Sequence, residues 1–157
     1  MLESLDSDIV LQKLRDFDPE AVEEAREFRS ELTLYIRRTR LRTTCLFLRD
    51  APSLSFKYLS DVTAVDLYPN EPRFEVVYHL LALDTFRRLR LKVRLPSDDP
   101  RVDSVVPVWP GANAFERETF DLLGLRFEGH PNLSRIFLPE DWEGHPLRKD
   151  YPTTGYR

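Results

Sequence analysis

Cysteine occurs once in these 157 residues, histidine three times and glycine five times. The single thiol, Cys45, rules out an intrachain disulfide. It lies in the apolar run Cys45-Leu46-Phe47-Leu48, where it reads as a small buried hydrophobe. One Cys and three His cannot ligate an iron–sulfur cluster from this chain alone. The five glycines form no G-x-G-x-x-G fingerprint and no Gly-rich loop ahead of a helix, so a dinucleotide or nucleotide site of the common kind is unsupported. No stretch approaches the roughly 20 apolar residues that a membrane span requires. The acidic start, Met1 to Asp6, does not resemble a secretory signal. Any membrane association is therefore expected through partners, from the cytoplasm.

What is present is charge on an ordinary apolar background: 32% charged and 41% hydrophobic residues. The length suits one domain, large enough to bury about two-thirds of its unfolded surface. The net charge of −4 conceals an asymmetry. Residues 1–31 carry ten acidic and four basic side chains, whereas residues 32–112 carry nine acidic and thirteen basic. The front is acidic and the middle is basic.

Periodicity predicts the elements. Val10, Leu14 and Phe17 recur at helical spacing, with Leu5 and Leu11 near that stripe, so 2–17 reads as a helix. Residues 20–29 are rich in helix formers but poor in apolar positions, and stay ambiguous. Alternation predicts a strand over 31–37. Leu41, Cys45 and Leu48 define one face of a helix over 39–49, and 58–68 reads as a strand. Residues 73–95 read as a hairpin. Leu89, Leu91, Val93 and Leu95 alternate with Arg88, Arg90, Lys92 and Arg94. Centring the turn on Asp84-Thr85 pairs Glu75 with Arg94, Val77 with Lys92 and His79 with Arg90. It also pairs Val76 with Val93, Tyr78 with Leu91 and Leu80 with Leu89, so both faces are satisfied at once. Pro96 to Pro110 reads as a loop. A helix follows, with Asn113 and Glu116 as a capping box, Phe115, Leu122 and Leu123 on its buried side, and Gly124 as its stop. Beyond Leu125 the chain reads as largely irregular. The predicted fold is α+β: a mixed sheet of about four strands with flanking helices and an extended C-terminal segment. Residues 1–125 form the domain body and 126–157 the segment, which is expected to be ordered chiefly by binding.

The last quarter concentrates unusual chemistry. Glu116, Arg117, Glu118 and Asp121 share a short helix, where Arg117 and Asp121 are spaced to pair. Glu116 and Glu118 do not share a face, so they do not form the converging carboxylates of general acid–base catalysis. His130 and His145 each sit in Gly-His-Pro, without the further ligands of a zinc site. Turn geometry with an imidazole hydrogen bond suits them better. The basic strand and Arg37, Arg38, Arg40 and Arg42 raise a nucleic-acid module as an alternative. Against it stand a sequence pI near 5.5 and no aromatic residue interleaved on the basic face of 88–95. Trp109 and Trp142 suit core packing or an interface anchor.

These residues carry a resemblance. Glu116-Arg117-Glu118, Asp121-Leu122-Leu123-Gly124, Phe127-Glu128-Gly129-His130-Pro131 and Pro139 through Pro152 together resemble the signature of the C-type subunit of NADH–quinone oxidoreductase, the 30 kDa-type peripheral-arm subunit of respiratory complex I. Asp61 to Asp66, Arg73 to Leu80 and Trp109 extend it upstream. Ser134, Ala114, Thr119 and Phe120 depart from it. The resemblance implies an extended segment at 20–29. It implies a structural subunit with no cofactor on this chain, FMN, iron–sulfur clusters and quinone being held by partner subunits. Those partners would be the D-type quinone-site subunit and the B-type and I-type iron–sulfur subunits, with no nucleic acid. The complex would sit peripherally on the cytoplasmic face of the cell inner membrane. A related hydrogenase or other-donor complex is the alternative. Glu116, Arg117, Glu118, Asp121, His130, Arg135, Trp142, His145, Arg148, Lys149 and Asp150 are the expected interface residues. On this reading Arg148→Glu impairs assembly more than the fold of the isolated domain.

Overall fold

The computed structural model describes residues 2–156, and side chains from Ile9 onward; Leu5 of the predicted helical stripe lies outside the described side chains. Three helices, α1 (Leu2–Phe17), α2 (Leu41–Asp50) and α3 (Ala112–Leu123), pack on one face of a five-stranded sheet. Its strands are β1 (Val22–Phe28), β2 (Glu31–Ile36), β3 (Tyr58–Asp66), β4 (Phe74–Ala82) and β5 (Arg87–Leu95), in the order β1-β2-β5-β4-β3. Only β2 and β5 run parallel. The short strands β6 (Arg101–Asp103) and β7 (Arg126–Glu128) pair in parallel as a separate ribbon. Thus the sheet is mixed and α+β as predicted, with one strand more than four. The proline-rich loop and the stretch after Leu125 each contribute a short strand that periodicity did not reveal.

The additional strand is β1, formed by the segment with ambiguous composition. Its register skips Glu23 between the pairs Val22–Ile36 and Glu24–Tyr35. A bulge of this kind turns Val22 and Ala25, three residues apart, toward the same side. Both pack on the core. The spacing imitates a helix although the backbone is a strand.

The hairpin register matches the prediction pair for pair, from Phe74–Leu95 to Ala82–Arg87, leaving Leu83–Phe86 as a four-residue loop. Leu89, Leu91, Val93 and Leu95 enter the core, as do Phe74, Val76, Tyr78 and Leu80 from β4. Leu41, Cys45 and Leu48 of α2 cover them, fully buried. On α1, Val10 and Leu14 are buried, whereas Phe17 is half-exposed and stacks on Phe47 at 4.1 Å.

Among the described residues no helix covers the other face of the sheet. There the cations of β5 meet carboxylates from β1, β2 and β4: Arg94 with Glu24, Arg90 with Glu31 and Lys92 with Glu75. Tyr35 lies beneath, with the Arg94 guanidinium 3.9 Å from its ring centre. Three of the four cations in the stripe are therefore paired within the chain, Arg88 being the exception, and its aromatic residue is covered, so it offers no platform for base stacking.

The two faces predict opposite mutational costs on one strand. Leu91→Ala should destabilise the purified chain by about 2–5 kcal/mol. Arg90→Ala should change stability by about 1 kcal/mol or less, because the Arg90–Glu31 pair is partly solvated. Denaturant titration of both variants checks the contrast.

Candidate functional site

An α-helix ends with carbonyls that have no partner within the helix. At the end of α3 the C-terminal segment supplies those partners. Gly124, at φ 72°, turns the chain and donates its N–H to Phe120 O at 2.8 Å. His145 Nδ1 lies 2.9 Å from Asp121 O, and Arg135 Nη1 donates to the same oxygen at 3.1 Å. The Leu147 N–H reaches Leu122 O at 3.0 Å. Arg148 Nε reaches Leu123 O at 2.6 Å and Nη2 reaches Gly124 O at 3.4 Å. The cations also suit the negative end of the helix dipole. A Cβ on Gly124 would come within 2.5 Å of the His145 ring and 2.7 Å of the Arg148 guanidinium, so the position has room for glycine alone.

The side chain of Asp121 forms the second half of this clasp. It is fully buried. Oδ1 accepts from Arg135 at 2.7 Å, while Oδ2 accepts the consecutive N–H groups of Ile136, Phe137 and Leu138 at 2.8–3.0 Å. Burial alone would raise its pKa, but the guanidinium and the three amides outweigh that and hold it at about 2. Arg135 extends further, to Trp142 O and Gly144 O. Arg117 donates to Ser134 O and Arg135 O rather than pairing with Asp121. The expected i, i+4 pair is replaced because each partner finds the tail instead.

A third tie joins the tail to the sheet. Arg73 is buried between Asp66 and Asp150, donating to both carboxylates at 2.7–2.9 Å. The Lys149 N–H donates to Asp66 Oδ2 at 2.9 Å. Burial opposes ionisation of Asp66, yet Arg73 and the amides of Lys149 and Tyr68 keep its pKa at about 2.

Glu116 belongs to the interior. No side-chain cap holds the start of α3, whose N-cap position is Gly111, so the Asn113 capping box does not form. Glu116 instead accepts from Ser104 Oγ at 2.6 Å and from the Val105 N–H at 2.7 Å, fixing α3 to the turn after β6. Burial raises its pKa to about 7, against those two hydrogen bonds and the charge of Arg42. His130 Nε2 lies 4.0 Å from Glu116 and 3.2 Å from Asn113 O, and its Nδ1 accepts the Asn132 N–H at 3.0 Å. Both Gly-His-Pro sequences are turns with glycine at positive φ, 79° at Gly129 and 78° at Gly144, and both imidazoles are hydrogen-bonded, as expected.

The sequence-predicted site therefore divides. Glu116 and Asp121 are buried and cannot present charge to another chain. The His130 side chain is fully buried, and Arg117, Arg135, His145 and Arg148 are partly buried, with their polar groups engaged inside the chain. Asp150 is exposed but bound to Arg73. Glu118, Trp142 and Lys149 face solvent. The segment also exposes apolar side chains that sequence reasoning passed over: Ile136, Phe137, Leu147 and Tyr156, of which Phe137 is 65% accessible. Apolar residues without periodicity in a proline-rich stretch were the available signal. Among the described residues no group of three His, Cys, Asp or Glu side chains is placed to hold a metal, and no helix is long and apolar enough to cross a membrane.

Two outcomes follow from this clasp. Arg148→Glu should lower the thermal midpoint of the isolated chain, since it removes the partner of Leu123 O and places a negative charge at a helix C-terminus; this reverses the expectation drawn from sequence. The stability of the chain should also be greatest near about pH 4 to 5 and decline on either side. Asp66 and Asp121, with pKa values near 2, contribute stability above their unfolded values. That contribution is lost as pH falls, at roughly 2 kcal/mol each. Glu116, raised to about 7, acts oppositely: stability declines as pH rises from its unfolded value through 7. Glu116→Gln should abolish the alkaline decline while leaving the acid limb. Thermal denaturation of both proteins across that range decides it, and an unchanged alkaline limb would refute the role of Glu116.

The comparisons with known proteins agree on one family. Residues 34–157 match the family described as respiratory-chain NADH dehydrogenase, 30 Kd subunit. The chain is 50% identical over 149 residues to the C-type subunit of NADH-quinone oxidoreductase from Roseiflexus sp. (strain RS-1), covering 95% of this chain and 86% of that one. It is 46% identical over 144 residues to the same subunit from Geobacter sulfurreducens, covering 91% and 88%. Among solved structures it is similar to a trypsin-resistant fragment (1-134) of Nqo5, with a TM-score of 0.66, 30% identity, and coverage of 80% of this chain and 98% of that one. It is also similar to a chain in the membrane-bound sulfane sulfur reductase, an archaeal respiratory membrane complex, with a TM-score of 0.77, 27% identity, and coverage of 94% and 86%. The chain therefore belongs to the 30 kDa subunit family of respiratory-chain NADH dehydrogenase, which includes the C-type subunits of NADH-quinone oxidoreductase.

Proposed function

We propose that this chain is a structural subunit in the peripheral arm of a proton-translocating NADH-quinone oxidoreductase, carrying no cofactor of its own. It braces the junction beside the D-type quinone-site subunit and lies near the B-type and I-type iron–sulfur subunits. Flavin, clusters and quinone are held by those neighbours and others. The complex keeps the chain on the cytoplasmic face of the cell inner membrane. The observation that carries this reading is the C-terminal segment. It is tied to the domain at Asp121, Arg73 and the end of α3, yet turns Phe137, Trp142, Leu147 and Tyr156 outward. Irregular backbone with exposed aromatic and aliphatic side chains, backed by fixed ion pairs, fits the anchors of a permanent interface. Glu118 and Lys149 supply exposed charge beside them.

A second reading rests on the sulfane sulfur reductase likeness. That fold match extends over 94% of this chain, which supports a common structural part in complexes with different electron donors. The far greater identity to the NADH-quinone oxidoreductase relatives, 50% against 27%, favours NADH and quinone.

Gentle solubilisation of membranes carrying the tagged chain tests the assignment. Recovery within a large assembly that oxidises NADH and reduces quinone is expected. A tagged chain found only as a soluble monomer, under conditions that keep such assemblies intact, would overturn it. In the same preparation Phe137→Ser should reduce incorporation severalfold without lowering the thermal midpoint of the isolated chain, because that side chain is mostly solvent-exposed.

A further inference from the structure

The C-terminal clasp occupies one end of the sheet, where Asp66 faces Phe74. The opposite end has its own unusual features. Because β2 and β5 run parallel, the tip of the β1–β2 hairpin and the tip of the β4–β5 hairpin lie side by side. At about 3.3 Å per residue, the nine residues of β4 separate these ends by roughly 26 Å.

Three non-glycine residues at these tips hold left-handed backbones: Arg29 at φ 53°, Ser30 at φ 63° and Phe86 at φ 55°. Arg29-Ser30 forms the two-residue turn closed by the Phe28–Glu31 pair. Both of its residues have the positive φ that such turns ordinarily give to Asn-Gly. A bulky residue like Phe86 is uncommon in this conformation. The strain is accompanied by exposed apolar surface: Phe28 is 71% accessible, Phe86 79% and Leu83 53%. Between the tips lies a cleft of about 340 Å³ whose floor includes Val10, Leu32 and Phe56.

Among the described residues, free cations outnumber free carboxylates around this surface. Arg29, Lys57 and Arg88 are exposed and join no ion pair among the described residues, and the Arg29 guanidinium lies over the Phe28 ring at 5.2 Å. The nearby carboxylates are engaged: Glu31 binds Arg90, and Asp84 accepts from the Ser55 hydroxyl at 3.3 Å. Glu27 and Asp61 are the exceptions, neither joining an ion pair among the described residues; Asp61 lines the adjoining cleft with Arg88. Apolar side chains rimmed by cations complement a segment that combines carboxylates with apolar side chains.

We propose that the two hairpin tips form a second docking surface, which receives an acidic, apolar segment of a neighbouring protein subunit. Phe28 and Phe86 are the anchors, and Arg29 and Arg88 pair with its carboxylates. The inference rests on the proposed membership in a multisubunit assembly and adds a contact at the end of the sheet remote from the clasp. The chain then joins two neighbours through opposite ends of one sheet.

A photo-crosslinking residue placed at position 86 of the tagged full chain, irradiated within the purified NADH-oxidising assembly, tests this. The expected product is a crosslink to one partner subunit, mapped by mass spectrometry to a stretch bearing Asp or Glu among apolar residues. Arg88→Glu, combined with the crosslinker, should lower its yield about tenfold while the chain still copurifies through its C-terminal segment. Phe86→Gly removes the anchor and suits the left-handed position. It should leave the isolated chain at least as stable, yet make the assembly dissociate at lower detergent or salt. Four outcomes overturn the proposal: no crosslink from an intact assembly, a crosslink to lipid, one to a second copy of this chain, or one to a segment without carboxylates. Failure of the chain to copurify would instead refute the proposed function, so the two failures are distinguishable.

Discussion

The carbonyl end of α3 is the constraint on which the C-terminal third of this protein depends. A helix buried at its terminus must have those oxygens satisfied. Here the donors come from residues up to 25 positions further along the chain. One residue links the parts: the backbone oxygen of Asp121 is capped by His145 and Arg135, while its carboxylate binds Arg135 and three amides of the returning chain. A buried carboxylate with this many donors stays ionised at neutral pH, and the ionised form gives each hydrogen bond extra strength. Helix end and tail are therefore one structural unit.

The sheet provides a contrasting solution to the same problem of placing charge. Its uncovered face holds cations and carboxylates in cross-strand pairs that are partly solvated and individually weak. Their combined effect is to pair most of the charge at the middle of that face, leaving Arg88 free near one end, so the molecule's distinctive surfaces are concentrated at the two ends of its strands. The tail brings Phe137, Trp142 and Leu147 to solvent near one end, and the hairpins bring Phe28 and Phe86 to the other.

Much of this architecture is legible in the sequence, and the reason differs from element to element. The β4–β5 register could be derived because one strand alternates apolar and cationic residues over its whole length, and a one-residue slip would invert both faces. Gly124 could be identified as a helix stop because a left-handed position at that point favours glycine. Strand β1 was obscured by its bulge, which gives two inward side chains a helical spacing. Glu116 and Asp121 of α3 were assigned to the wrong surroundings because local spacing cannot show a partner that arrives from far away, whereas Glu118 faces solvent as expected. Asp121 looked available to Arg117, four residues before it, yet its partner is Arg135; Arg148 looked like surface charge yet caps a helix. The Arg73 link to Asp150 spans 77 positions and leaves no local trace. Motif resemblance marks the segment as an interaction element, while its outward aromatic side chains have no periodicity to reveal them.

The positions of these donors also govern where the chain can vary in length. From Asp121 to Leu138 the backbone is fixed by Arg117, Arg135 and the Asp121 carboxylate, and from His145 to Asp150 by the helix end and by Arg73. Inserting or deleting a residue in either stretch would move several donors away from their acceptors at once. Between them, Pro139 to Glu143 is exposed and is held to the rest chiefly by one guanidinium at Trp142 O and by the Tyr151 hydroxyl at Glu143 O. Between the two clasped stretches, a change in chain length is therefore best accommodated at Pro139 to Glu143, where few contacts would be disturbed.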